Sequence, residues 1–273
     1  MAAARRQSRR ALVVVAIAIA LPAAVAGCGG GGGSDPQVGN DPAAIQVPGR
    51  PSAAACGFAG QAGKEAGDKK TKSPPAPGVY RYAVAGKQAM PGSGVRVKDL
   101  PPRGDLYVAP ARRHGTLICF TVQRRFSGDV ANTSTYVIRG NDVYLVGLRI
   151  QALGESHLIH PDPPVLTVSD KGSSWSGRFG GSTAGSYQFS GLGKRTFRVG
   201  SRALRAVGIS SVVSYSGSVA GSQRSTTWIS LHHEVVVSEA FRSRQRLGVS
   251  SLRLHSHSHL LSLDPDRLPA RHG

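Results

Sequence analysis

Acidic residues are scarce. The 273-residue chain has 15 Asp+Glu against 34 Lys+Arg. The few acids are scattered, so no paired-carboxylate hydrolase site is visible. Aromatics make up 6% of the chain, and no stacking-aromatic motif accompanies the positive charge. That pattern, in a chain that reads as exported, speaks against nucleic acid as a partner. Only one long apolar run exists, which excludes a polytopic membrane protein. Cysteine occurs three times. One, Cys28, directly follows the leader, and the two that remain cannot build a structural zinc site alone.

Catalytic signatures are missing as well. No G-x-S-x-G nucleophile elbow occurs, because Gly217-Ser218-Val219-Ala220-Gly221 has Val at the nucleophile position. Gly191-Leu192-Gly193-Lys194-Arg195 fails as a phosphate loop: Gln188 and Arg195 stand where the motif needs Gly and Ser or Thr. There is no H-E-x-x-H. These absences favour a protein that is not an enzyme and uses no cofactor. A hydrolase whose triad is assembled from distant residues stays as an alternative.

What is abundant is glycine and proline, 35 and 17 residues, together about 19% against an ordinary ~12%. Such content favours turns and short strands over a helical bundle.

The N-terminus has the three parts of an export signal. Arg5, Arg6, Arg9 and Arg10 form a basic start, and Ala11 to Ala26 follow without a charge. Sixteen residues of helix span about 24 Å, short of the ~30 Å hydrocarbon core, and Pro22 interrupts them. This is a signal peptide rather than a permanent span. Ser8-Arg9-Arg10-Ala11-Leu12-Val13 loosely matches a twin-arginine signal, while the strongly apolar middle points to general secretion. Val25-Ala26-Gly27-Cys28 has the order of a bacterial lipobox: an aliphatic residue, two small residues, then Cys. The expectation is a signal peptide over 1–27, cleaved before a Cys28 that carries lipid. Burial contributes about 0.8 kcal/mol per CH₂, so two or more acyl chains would hold the chain durably at the membrane. The predicted location is the extracytoplasmic face of the cell membrane.

Residues 28–77 read as a flexible tether, opening with a Gly-rich run (29–34, GGGGGS) and low in large apolar residues. Residues 78–265 read as the folded part, with a tail over 266–273. Tyr80, Tyr82 and Val84 alternate onto one face, and so do Tyr144, Val146, Leu148 and Ile150. Thr116 to Val122 is apolar on both faces, as in a covered strand. Arg139-Gly140-Asn141-Asp142 is hairpin chemistry. Further strand-like runs are 165–168, 174–179, 186–189, 196–199, 203–215, 225–230, 235–241 and 249–263. Residues 239–247 are the one window whose Arg-rich face also fits a helix. Arg103-Gly104-Asp105, after Pro101-Pro102, reads as a turn. The fold class expected is all-β: a curved antiparallel sheet or half-barrel, preceded by a signal-peptide helix and a disordered tether.

This layout resembles a broad set of actinobacterial surface lipoproteins. The resemblance rests on the lipobox, the Gly-rich tether and the opening strand Pro77-Gly78-Val79-Tyr80-Arg81-Tyr82. A late hairpin, Ser225-Thr226-Thr227-Trp228-Ile229-Ser230 into Glu234-Val235-Val236-Val237, and a closing Leu260-Leu261-Ser262-Leu263-Asp264-Pro265 extend it. The strand order is similar to lipoprotein-carrier half-barrels of the LolA type, which implies a sheet wrapped round an apolar groove. A groove lined by the Tyr80/Tyr82/Val84 and Tyr144/Val146/Leu148 faces would favour ligand carriage. A filled interior would favour a structural module.

Three further groups matter. Cys56 and Cys119 are candidates for a disulfide in an oxidising compartment, or else Cys119 is buried in its apolar strand and Cys56 is incidental. His255, His257 and His259 fall on one strand face about 6.6–7 Å apart in successive steps, with His232 and His233 in the preceding hairpin. They are weak metal candidates, and a metal-binding lipoprotein is the second alternative. Without residues 1–27 the chain has 30 basic and 15 acidic residues. Arg112-Arg113, Arg124-Arg125 and the Arg242/Arg244/Arg246 series are its basic clusters. They suit a solvated face, or one that meets lipid or an anionic envelope polymer.

Overall fold

A computed structural model of the chain describes residues 49–58, 72–90, 95–127, 130–152, 155–169, 173–181, 183–217, 220–247 and 250–268. The expected signal peptide over 1–27, Cys28 and most of the expected tether over 28–77 lie outside the described residues. Within them the protein is all-β, one open, curved antiparallel sheet of fifteen strands. In chain order these are β1 (Gly78–Met90), β2 (Val95–Asp99), β3 (Arg103–Val108), β4 (Arg112–His114), β5 (Leu117–Ser127), β6 (Val130–Arg139), β7 (Asp142–Ala152) and β8 (Glu155–Ile159). Then come β9 (Val165–Val168), β10 (Ser174–Phe179), β11 (Thr183–Val199), β12 (Arg202–Gly217), β13 (Ala220–Ser230), β14 (Val236–Leu247) and β15 (Ser250–Leu260).

The order across the sheet is β10-β11-β12-β13-β14-β15-β1-β3-β5-β6-β7-β8. Three strands lie off this path: β2 pairs with β1, β4 with β5 and β9 with β7. Mostly the chain meanders between neighbours. The exception is β1, which the last strand joins from the other side, so β15 closes the order beside the first. The segment after β15 turns back on β1: Val79 and Asp266 exchange backbone hydrogen bonds at 2.9 Å, and Arg81 Nε donates to Asp266 at 2.7 Å.

Glycine sets the tight turns. Gly140 and Gly200 open the two-residue connections β6–β7 and β11–β12 at φ +61° and +55°, where a Cβ would be strained.

The curvature can be read from one contact. Arg124 on β5 and Glu239 on β14 are four ladder steps apart, about 19 Å along the sheet. Their side chains nevertheless form an ion pair across the concave side. Tyr82 Oη likewise donates to the Val236 carbonyl at 2.8 Å. At its ends the path does not close. The flanks touch at points: Gly180 N donates to Asp162 O at 2.6 Å, and Trp175 Nε1 to Leu166 O at 2.9 Å.

One core fills the concave side. It runs from Tyr80 and Tyr82 through Phe120, Tyr136 and Leu148 to Phe189, Ile209 and Ile229. Phe120 stacks on Tyr136, and Trp175 on Phe189. Between β1, β3, β5 and β15 a recess of about 30 Å³ remains, roughly the room for one water.

Several expectations need correction. The Tyr144/Val146/Leu148 face does not exist. Thr135 pairs with Gly147 and Tyr136 with Leu145, so Val146 is the extra residue of a β-bulge. The bulge flips the alternation. Val143, Leu145 and Leu148 face the core, while Val146 packs on the opposite side. Residues 239–247 are strand, not helix, hydrogen-bonded to β13 and β15 on both sides. Arg103-Gly104-Asp105 opens β3 and pairs with Ala83, Tyr82 and Arg81. Glycine at 104 fits a close approach rather than a turn, since a Cβ there would stand 3.1 Å from Val84 Cγ2. The runs 186–189 and 196–199 belong to one strand, β11, which continues through a bulge at Gly191/Gly193.

Candidate functional site

The two faces of the sheet follow from alternation, because paired residues on neighbouring strands share a face. On β14, Glu239, Phe241, Ser243 and Gln245 are buried, while Ala240, Arg242, Arg244 and Arg246 are exposed. Extending these rows through the register gives the convex, outward side. One row reads Lys87–His255–Arg242–Arg224–Val212–Gln188–Ser176. The next reads Ala89–Arg253–Arg244–Ser222–Ser214–Ser186–Arg178. Over β1, β15, β14 and β13 these rows line an open groove of about 610 Å³ that holds Lys87, Arg224, Arg242, Arg244, Arg253 and His255. Apart from Leu254 and His255 its lining residues are cationic or small, and among the described residues no acidic one lines it. Asp99 on β2 stands opposite Lys87 in the ladder. The groove continues across β10–β12 as a shallower Ser-rich depression of about 460 Å³, lined among others by Ser176, Arg178, Ser186 and Ser214.

The basic clusters separate by use. Arg242 and Arg244 lie in the groove, and Arg246 follows them on the same exposed edge of β14. Arg124 turns inward to Glu239, and Arg125 lies 4.6 Å over the Tyr107 ring. Burial opposes the charge on Arg124, but the Glu239 carboxylate and its hydrogen bond leave the guanidinium pKa above its ordinary value. Arg112 Nε donates to the Pro51 carbonyl at 3.0 Å, a structural role. Arg124-Arg125 is therefore not a surface cluster. Lys87, Arg224 and Arg253 were not singled out from the sequence. Arg253 had a signal, since it continues the period-2 series of His255, His257 and His259. Arg224 and Lys87 are single cations that only the register brings in.

The three histidines are exposed on β15, each in a different row: His255 between Lys87 and Arg242, His257 between Ala85 and Ala240, His259 between Ala83 and Ser238. His257 Nδ1 donates to the Glu239 carbonyl at 3.0 Å. His232 and His233 sit on the β13–β14 turn. Among the described residues no group of three or more His, Cys, Asp or Glu is placed to hold a metal ion.

Cys56 and Cys119, 63 positions apart in sequence, form a disulfide with Cα atoms 5.8 Å apart. The bond fastens residues 49–58 over the outer face of β4–β6. Cys56, Phe58, Cys119 and Val137 form a second small core, with Leu117 and Val146 against it. Phe58 stacks on His114 at 5.1 Å, and Arg50 Nε donates to the Ala111 carbonyl at 3.1 Å. The strand over 117–122 is thus covered on both faces, as its composition implied. Cys28 lies outside the described residues.

One half-buried carboxylate stands apart. Glu234, on the β13–β14 turn, has φ +54°, rare for a residue other than glycine. Burial pushes its pKa up to about 7, against the opposing charge of the buried Lys72.

No protein-family model matches the chain, and neither does any curated protein. A solved structure from Bacteroides fragilis, described as a "putative exported protein with YmcC-like fold", aligns over 70% of this chain and 97% of its own at 8% identity. Its TM-score of 0.27 is too low to carry an argument.

Proposed function

We propose that this protein is a lipid-anchored extracytoplasmic lipoprotein whose β domain is a non-catalytic presenting module. The observation that carries the reading is the order basic start, short apolar run, Val25-Ala26-Gly27-Cys28. The Cys56–Cys119 disulfide supports it, since such bonds persist in oxidising compartments. The disulfide fastens residues 49–58 to the sheet, so this part of 28–77 would belong to the fold rather than to a leash.

The resemblance to LolA-type carriers implied an apolar groove on the concave side. That side is packed with buried side chains, and its recess between β1 and β5 has room for about one water. This supports a structural or presenting role over carriage of an acyl chain. The surface available for recognition is then the convex one.

The test is metabolic labelling with palmitate and detergent-phase partition of the wild type and Cys28→Ser. Label in the wild type that disappears in the variant, together with a shift out of the detergent phase, is the expected result. An unlabelled wild type, or a variant retained at full size in the detergent phase without label in either, overturns the anchor.

A further inference from the structure

We propose that the groove over β1, β15, β14 and β13 is a binding site for a linear, phosphate-bearing polymer. The inference stands on the groove and does not depend on acylation of Cys28. Five permanent cations, Lys87, Arg224, Arg242, Arg244 and Arg253, line one concavity of about 610 Å³, with His255 among them. Arg224, Arg242, Arg244 and Arg253 follow one another at one ladder step, about 4.8 Å, or two residues along a strand, about 6.6–7 Å, and Lys87 stands beyond His255 in the same row. Like charges at that density repel, so the unliganded face is raised in energy and an anionic ligand relieves it. None of the five makes an ion pair within the described residues. They are free to meet a ligand, unlike Arg124 and Arg81, which are engaged.

Shape chooses between kinds of anion. A bilayer is a plane and favours a flat or convex basic surface fringed by apolar side chains that can enter the interface. Here the cations sit in a concavity, and the residues that continue the two rows are Ser, Gln, Ala and a further cation, Arg178, with the single exposed Val212. A groove of this kind receives a strand. The lining also favours phosphate over carboxylate. A planar carboxylate is satisfied by one guanidinium fork, whereas a tetrahedral phosphate presents acceptor oxygens in more than one plane. Ser222, in the groove beside Arg224 and Arg244, adds a hydroxyl donor to the forks. Ser214, Ser186 and Ser176 extend the same donors into the depression over β10–β12.

The full chain in a neutral detergent is titrated against fluorescein-labelled linear polyphosphate, followed by anisotropy. Binding is expected to weaken at least tenfold in Arg242→Ser/Arg244→Ser, and the slope of log Kd against log salt to fall by about 1 for each arginine that met a phosphate. Arg224→Ser/Arg253→Ser is expected to do the same, so the result does not hang on one variant. Arg198→Ser/Arg202→Ser removes equal charge from the exposed end of the β11–β12 hairpin and is expected to change affinity less than twofold. Circular dichroism and an intact disulfide establish that each variant is folded. Absence of polyphosphate binding overturns the proposal, as does equal weakening by the β11–β12 control, which would mean net charge alone. Equal displacement by polygalacturonate overturns the choice of phosphate. Stronger displacement by phosphatidylglycerol in mixed micelles, at equal phosphate, overturns the polymer in favour of a lipid surface.

Discussion

The outer face of the sheet differs between its two flanks. Over β5–β7 the outward positions include Leu117, Cys119, Val137 and Val146, and the chain covers them with its own residues 49–58. Over β13–β15 the outward positions of the same alternation include Arg224, Arg242, Arg244, Arg253, His255 and Ser222, and nothing in the described chain lies on these. The ladder is equally regular under both. What stands at the odd or even positions decides whether a face is closed by the protein or left to a partner. An apolar outward row needs a cover, because exposed it costs about 25 cal/mol per Å². A cationic row has no such need, and its low density of counter-charge invites an external anion.

The concave side is common to both flanks, and breaking it should have the largest effect. Glu239 is buried against Arg124, with Thr227 Oγ1 3.4 Å from its other oxygen. Glu239→Leu leaves an uncompensated buried guanidinium and should cost about 3–5 kcal/mol in urea denaturation. Arg124→Leu should cost as much, whereas the double variant should recover most of the loss. If the single variants unfold like the wild type, the pair does not join the two flanks.

Closing the covered flank is the task of the disulfide. With its ends 63 positions apart in sequence, the chain-entropy estimate is about 4 kcal/mol. Cys56→Ala/Cys119→Ala should lose up to that amount and expose residues 49–58 to limited proteolysis. The β13–β15 flank should stay protected in hydrogen exchange until global unfolding. Simultaneous loss of both flanks' protection would show that the cover is part of the single core rather than an addition to it.

Glu234 links the β13–β14 turn to the segment entering β1, through Lys72. Its pKa in the folded state, about 7, lies above the ordinary carboxylate value, so folding favours the protonated form. The stabilisation is complete below the ordinary carboxylate range and is lost as pH rises to about 7. Glu234→Gln should therefore flatten the pH dependence of stability between roughly pH 4.5 and 7. It should stabilise the protein at pH 7.5 by on the order of 2 kcal/mol. Parallel pH profiles for the two proteins would show instead that the carboxyl is solvated.

Much of this was legible locally. Short-range alternation located most strands, and 165–168 and 174–179 coincide with β9 and β10. The Gly140-Asn141 turn was legible from its chemistry, and Cys119 from its two-sided apolar strand. What escaped was parity and partnership. A bulge shows no residue signature at Val146, yet it reverses which residues face the core downstream. Arg124 resembled surface charge because its partner is 115 positions away in sequence. The groove was half legible: Arg242, Arg244 and Arg246 stood out within β14, but Lys87 and Arg224 joined them only through a register set by three antiparallel pairings. The 239–247 segment allowed a helix because Arg and Glu are good helix formers. Two flanking strands outweighed that preference.

The smallest predicted effect on stability is also the one that most sharpens the contrast between the flanks. Arg242 and Arg244 are exposed, make no ion pair among the described residues and sit beside other cations. Surface substitutions away from packed features usually change stability by less than about 0.5 kcal/mol. Here removal of two mutually repelling charges adds a small gain. Arg242→Ser/Arg244→Ser should therefore unfold at an unchanged or slightly higher urea midpoint, more so at low salt, where repulsion is less screened. Serine already occupies equivalent outward positions at 222, 214 and 186, so the strand geometry accepts it. A marked loss of stability would mean that these arginines hold the sheet together, as Arg112 helps to hold the 49–58 segment, and the open flank would then be structural like the covered one. An unchanged midpoint together with lost polyanion binding would separate the two faces by purpose: one flank finished within the molecule, the other finished by a ligand.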